Sequence, residues 1–207
     1  LAYDPTEREV VMFGGAEEPT VAELPTDETW TFDPNSREWT RRRPPSSPRP
    51  MAEGHPTLFE LALVHDTRVG RSILLIGGDE TWSYDAGADV WERRADPGLE
   101  ADFMVAAAYD ERLGRVVAYG GGPTSLSDET WLYDHVTDEW ERVDTPNSPG
   151  RIGDHAMAYD PVTERTYLYG GGEDLLPLDG VGDVSSELWV FDGSDWTRLG
   201  PPAAPAP

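Results

Sequence analysis

The 207-residue chain has no cysteine, and because all 16 of its basic residues are arginine it has no lysine either. Without cysteine there is neither a disulfide framework nor a thiolate metal site, and the redox compartment leaves no mark on the sequence. No run of eighteen apolar residues occurs, so a membrane-spanning helix is not expected. Positive charge is scarce: 40 acidic residues against 16 arginines give a formal charge of −24. A surface so negative repels phosphate backbones and anionic lipid at long range, which argues against nucleic acid or a membrane as partner. Acidity without lysine suits high-salt surroundings, where screening removes self-repulsion. Replacement of lysine by arginine in a GC-rich genome accounts for the composition equally well.

Glycine and tryptophan are what the chain has in order rather than merely in number. A Gly-Gly pair stands at Gly14-Gly15, Gly77-Gly78, Gly121-Gly122 and Gly171-Gly172, each six residues after an arginine (Arg8, Arg71, Arg115, Arg165). A strand-like run follows each pair: Trp30–Asp33, Trp82–Asp85, Trp131–Asp134 and Trp189–Asp192. A second tryptophan closes each copy, at Trp39, Trp91, Trp140 and Trp196, with separations of 52, 49 and 56 residues. Four ordered copies define a repeat of about fifty residues, the period of a bladed all-β array. Each copy reads as four strands, with Asp-led turns such as Asp4-Pro5-Thr6-Glu7 between them. Strands such as Ile73–Ile76 and Val116–Tyr119 are apolar on both faces, whereas a half-exposed strand alternates. Burial on both faces needs a neighbouring sheet above and below. Small residues in Ala106–Ala108 and Ala156–Ala158 place the first strand of each copy innermost, where strands crowd about an axis.

The Gly-Gly pair, the aromatic residue of the third strand, the tryptophan of the fourth and Gly54-His55 before a first strand together resemble the kelch-repeat family. The resemblance extends to the central domain of galactose-oxidase-like proteins and covers nearly all of residues 1–199. It implies a β-propeller of four-stranded antiparallel blades, expected at about 1–41, 56–93, 102–142 and 154–199, followed by a Pro/Ala-rich tail at 200–207. Kelch propellers are known mostly with five to seven blades, whereas only four copies are present. The first copy lacks the Arg-x-Gly-His lead-in, and the fourth has Asp154-His155 in place of Gly-His. Either four blades close a small ring or they form part of a larger one. In the second case the missing blades are expected before Leu1, and the uncovered flanks favour self-association.

The turns joining strands one to two and three to four are short and uniform, while the loops on the opposite rim vary in length. Unequal loops on a rigid scaffold are the usual place for recognition. Loop 173–186 sets Leu175, Leu176 and Leu178 beside Asp179 and other carboxylates, which reads either as a contact loop or as leucines folded back over the blade. Arg41, Arg42, Arg43 and Arg49 form the one basic run, suited to an acidic partner or to pairing with nearby acidic loops. Glu53, Asp102 and Asp154 precede first strands and are the candidate ligands for calcium, although no twelve-residue calcium loop is present. The four histidines form no zinc signature, and His55 and His155 occupy the position of the repeat's own histidine. The four recurring arginines (Arg8, Arg71, Arg115 and Arg165) are expected to form blade-to-blade ion pairs or to stack, rather than to act in catalysis.

Among enzymes that the resemblance brings into view, a copper oxidase with a cysteine-crosslinked tyrosine is excluded by the lack of cysteine. No catalytic residue is singled out. The leading expectation is a non-catalytic binding or scaffolding module for a protein, with carbohydrate as a further ligand class. The alternatives are a hydrolase- or isomerase-type propeller with an acidic axial pocket, and an architectural fragment without a ligand.

Overall fold

A computed structural model describes residues 1–15, 26–49, 61–77, 80–96, 105–120, 126–172 and 185–200. Sixteen strands in these segments form four antiparallel sheets, each a meander in chain order. The first blade comprises β1 (Ala2–Asp4), β2 (Glu9–Phe13), β3 (Thr29–Asp33) and β4 (Glu38–Arg41). The second comprises β5 (Leu61–Asp66), β6 (Arg71–Ile76), β7 (Glu80–Asp85) and β8 (Val90–Arg93). The third has β9 (Val105–Asp110), β10 (Arg115–Gly120), β11 (Thr130–Asp134) and β12 (Glu139–Val143). The fourth has β13 (Gly153–Asp160), β14 (Arg165–Gly172), β15 (Leu188–Phe191) and β16 (Trp196–Leu199). The fold is an all-β, four-bladed β-propeller, and no helix among the described residues is long and apolar enough to cross a membrane.

Hydrophobic burial drives the stacking. Val116, Val117, Ala118 and Tyr119 of β10 are all essentially buried, so successive side chains pointing to opposite faces both lose their water. Val117 and Tyr119 pack toward Leu168, Phe191 and Trp196 of the fourth blade. Val116 and Ala118 pack toward Ile73 and Leu75 of the second. Val11 and Phe13 meet Leu74, Tyr84 and Trp91 in the remaining junction. Contacts between blades run from β1 to β5, β5 to β9 and β9 to β13, so the small-residue first strands are innermost.

The turns work as the sequence implies. Carboxylates at the ends of first and third strands accept backbone N–H groups two or three residues on, as Asp66 does from Arg68 and Val69 and Asp134 from Val136. The last residue of several of these turns is left-handed, filled by glycine at Gly70 (φ 66°) and Gly114 (φ 65°). This position corrects the reading of the arginine repeat. Arg8 (φ 60°) occupies the left-handed turn position of the first blade, and Glu9 pairs with Asp4 as Arg115 pairs with Asp110. Arg8 is therefore one step out of register with Arg71, Arg115 and Arg165.

Gly171 shows why glycine ends a second strand. Its φ is 94°, and a Cβ there would lie 2.9 Å from the Gly153 carbonyl oxygen and 3.1 Å from the His155 Cβ. Gly14 (φ 71°), Gly15 (φ 114°) and Gly77 (φ 61°) share the left-handed backbone, while Gly78, Gly121 and Gly122 lie outside the described residues.

Candidate functional site

Two features stand out once the blades are assembled: a groove on the rim of unequal loops and the joints between blades. The groove, about 200 Å³, lies where β3 begins and β4 ends in the first blade. Asp27 and Glu28 line one side, and Arg41, Arg42 and Arg43 the other. Arg41 reaches Glu28 at 2.6 Å. Arg42 is drawn to the second blade, donating to the Ala86 carbonyl at 2.6 Å and lying 3.6 Å from the Asp89 carboxylate. Arg43 is exposed while its backbone N–H donates to Asp89. Arg49 is exposed and stands apart from the groove lining. Three of the four arginines in the basic run therefore converge.

Asp154 is exposed at the start of β13 with a φ of 56°. Glu53 and Asp102 lie outside the described residues, as do Leu175, Leu176, Leu178 and Asp179. Among the described residues no group of three or more His, Asp or Glu side chains is placed to hold a metal ion. His155 is packed edge-on to Tyr119, with neither ring nitrogen partnered, and burial pushes its pKa down to about 4. Asp138 is held below its ordinary pKa, although burial alone would raise it. The backbone N–H of Ala95, the Tyr133 hydroxyl and the Arg94 guanidinium offset that burial.

The joints follow one rule that the sequence reading did not extract. The fourth-strand tryptophan of one blade donates its indole N–H to a threonine hydroxyl at the start of the preceding blade's third strand. Trp91 donates to Thr29 at 2.9 Å, Trp140 to Thr81 at 3.1 Å and Trp196 to Thr130 at 2.8 Å. The third-strand tryptophans instead donate to the glutamate two residues before them: Trp30 to Glu28, Trp82 to Glu80, Trp131 to Glu129 and Trp189 to Glu187. The signal was present as Thr29-Trp30, Thr81-Trp82 and Thr130-Trp131, with Leu188-Trp189 as the exception.

Charged links between blades use other arginines than the recurring set. Arg94 reaches Asp138 at 3.3 Å, Arg68 reaches Asp134 at 2.7 Å, and Arg112 donates to the Asp192 carbonyl. Arg71 and Arg115 pair inside their own blades, with Asp85 at 2.7 Å and Glu141 at 2.6 Å. The expectation that the recurring arginines bridge blades is thus corrected. Arg71 and Arg115, the first residues of a second strand, face their own sheet, whereas Arg68 and Arg112 in the turn before that strand and Arg94 just after a fourth strand reach the next blade.

Among the described residues the two outer flanks are exposed. Trp39 is 47% exposed, while its counterparts Trp91 and Trp196 are 2% and 1% exposed and Trp140 is half-buried. Tyr169 is 52% exposed at the position where Tyr119 is fully buried. Among the described residues the first and fourth blades share no substantial contact.

Comparison with known proteins gives fold likeness only. No family model matches, and no curated protein matches the sequence. Among solved structures, a fungal alcohol oxidase of the AA5 family in complex with copper superposes with a TM-score of 0.66 at 15% identity. That match takes in 98% of this chain and 43% of the oxidase, so the chain spans less than half the oxidase's length. The structure named YjhT superposes with a TM-score of 0.63 at 11% identity, covering 94% of this chain and 68% of that one.

Proposed function

We propose that this chain is an architectural arc of a propeller larger than four blades, displaying a ligand-bearing rim rather than forming a closed ring alone. The observation that supports it is the fate of one repeated side chain: the fourth-strand tryptophan is buried at two joints (Trp91 and Trp196), half-buried at the third (Trp140) and 47% exposed at Trp39, where no blade precedes it in the arc. A hydrophobic flank repeated three times as an interface and once as open surface is a surface built to be covered. The rim then carries recognition. The mixed-charge groove of Asp27, Glu28, Arg41 and Arg43 suits a polar protein segment better than an apolar small molecule. Calcium at Asp154, with Glu53 and Asp102, belongs to the same proposal and is tested by isothermal titration of the chain with calcium.

The test of the architectural reading is hydroxyl-radical footprinting of the isolated chain, read residue by residue by mass spectrometry. Trp39 is expected to be modified while Trp91 and Trp196 are protected. Equal protection of all three in a monomer would mean that four blades close the ring, and the reading would fail.

A second reading has its own support. The alcohol oxidase shares this arc, so a catalytic propeller to which these blades contribute is consistent with the likeness. Catalysis places reacting groups on the axial face, where Asp154 is the exposed carboxylate among the described residues of β13. Turnover by the chain that vanishes in Asp154→Asn, with the far-UV circular dichroism unchanged, would favour this reading.

A further inference from the structure

The open flank of the first blade has the chemistry of one half of a joint seen three times elsewhere, and this defines what fits it. This inference rests on the architectural reading above. On that flank Tyr3 pairs across the sheet with Val10, Val10 with Phe32 and Phe32 with Trp39, forming one continuous apolar row. The equivalent row in the third blade, Tyr109, Val116, Tyr133 and Trp140, is the one that packs on the second blade. Trp39 is therefore placed to donate its indole N–H to a threonine of a preceding blade, as Trp91, Trp140 and Trp196 do.

A second position refines the fit. Asp89 and Asp138 receive the arginine that follows the preceding blade's fourth strand, Arg42 or Arg94. The first blade has Arg37 at this left-handed turn position (φ 61°, against 56° at Asp89 and 58° at Asp138). An incoming arginine would meet like charge there. The incoming blade must therefore carry a non-cationic residue after its fourth strand.

The fourth blade of a second copy does not meet the first requirement. Its residue at the threonine position is Leu188, paired across the sheet with Leu199. Head-to-tail closure would press the Trp39 indole N–H onto two leucines, leaving a buried donor without an acceptor. We infer that the first-blade flank is a docking surface for a distinct four-stranded blade. That blade opens its third strand with threonine, follows its fourth strand with an uncharged or acidic residue, and is not the fourth blade of another copy.

The third blade meets both requirements, with Thr130 and, at the second position, Val143. It therefore supplies the probe. Asp4 and Asp160 hold the same register position, so Leu1 corresponds to Met157. A duplicate of residues 105–156 joined ahead of Leu1 presents a third-type blade to Trp39. The readout is hydrogen exchange of the indole N–H, followed by NMR and assigned with Trp39→Phe, alongside the sedimentation mass of the unmodified chain. The expected result is a monomer whose Trp39 N–H exchanges freely, and an extended chain in which it is protected. Thr130→Val in the duplicate should then lower protection roughly tenfold, with Thr130→Ser retaining it.

Protection indifferent to Thr130→Val would overturn threonine recognition and leave the architectural reading standing. If Trp39 stays exposed in the extended chain while Trp196 is protected, both fail. A dimer of the unmodified chain that shields Trp39 would overturn the inference in favour of a second copy.

Discussion

The joint between the third and fourth blades offers the sharpest test of how the blades hold together. Trp196 is 1% exposed, packs on Tyr119 at 5.3 Å and on Phe191 at 5.0 Å, and donates to the Thr130 hydroxyl at 2.8 Å. Thr130→Val keeps the shape of the side chain and removes only the acceptor. The indole N–H is then stranded where water cannot reach it, which costs about 1–3 kcal/mol. Trp196→Phe removes the donor and leaves a smaller ring, adding a packing loss of its own. The informative quantity is the double-mutant coupling between the two. Once the donor is gone the missing hydroxyl matters less, so the coupling is expected to be about 1 kcal/mol or more. Urea denaturation of the four proteins, followed by far-UV circular dichroism, measures it. Additivity within about 0.3 kcal/mol would refute the view that this hydrogen bond ties the blades.

Three further outcomes are expected. Trp39→Phe in the isolated chain should shift stability by under about 0.5 kcal/mol, because this tryptophan stands on open surface; a loss like that of Trp196→Phe would contradict the open flank. Gly171→Ala should cost about 3 kcal/mol or more, combining left-handed strain with a Cβ 2.9 Å from a backbone oxygen. Gly15→Ala, with nothing within 4 Å, should cost only about 1–2 kcal/mol, and calorimetry would separate the pair. His155 carries a pH signature. Its folded pKa of about 4 lies below the ordinary 6.5, so the unfolded chain takes up the proton first as pH falls. Stability is complete above pH 6.5, declines by up to about 3 kcal/mol as pH drops toward 4, and flattens below that. His155→Phe should remove that part of the slope; an unchanged pH profile of the denaturation midpoint would count against it.

Some of the site was readable in advance and some was not. The convergence of Arg41, Arg42 and Arg43 followed from their adjacency, but not the division of labour among them. Arg42 turns to the second blade because a residue one step beyond Arg41 points to the opposite face of the sheet. The register of Arg8 was misread because counting back from Gly-Gly ignores the extra step that Gly14 takes. Gly14 corresponds to Gly120, whereas Ile76 fills that place in the second blade. The Thr-to-Trp joint was written in three short motifs, yet nothing in a single strand says that its partner lies some sixty residues away.

Period, glycine pairs and doubly apolar strands were enough to determine the blades, their strand order and their innermost edge, because those depend on local turn chemistry and on the side-chain alternation of a strand. Whether the row of blades closes was beyond such information. That depends on how the blades sit in space, and the observation that bears on it, Trp39 and Tyr169 exposed while Trp91, Trp196 and Tyr119 lie buried, comes only from the tertiary structure.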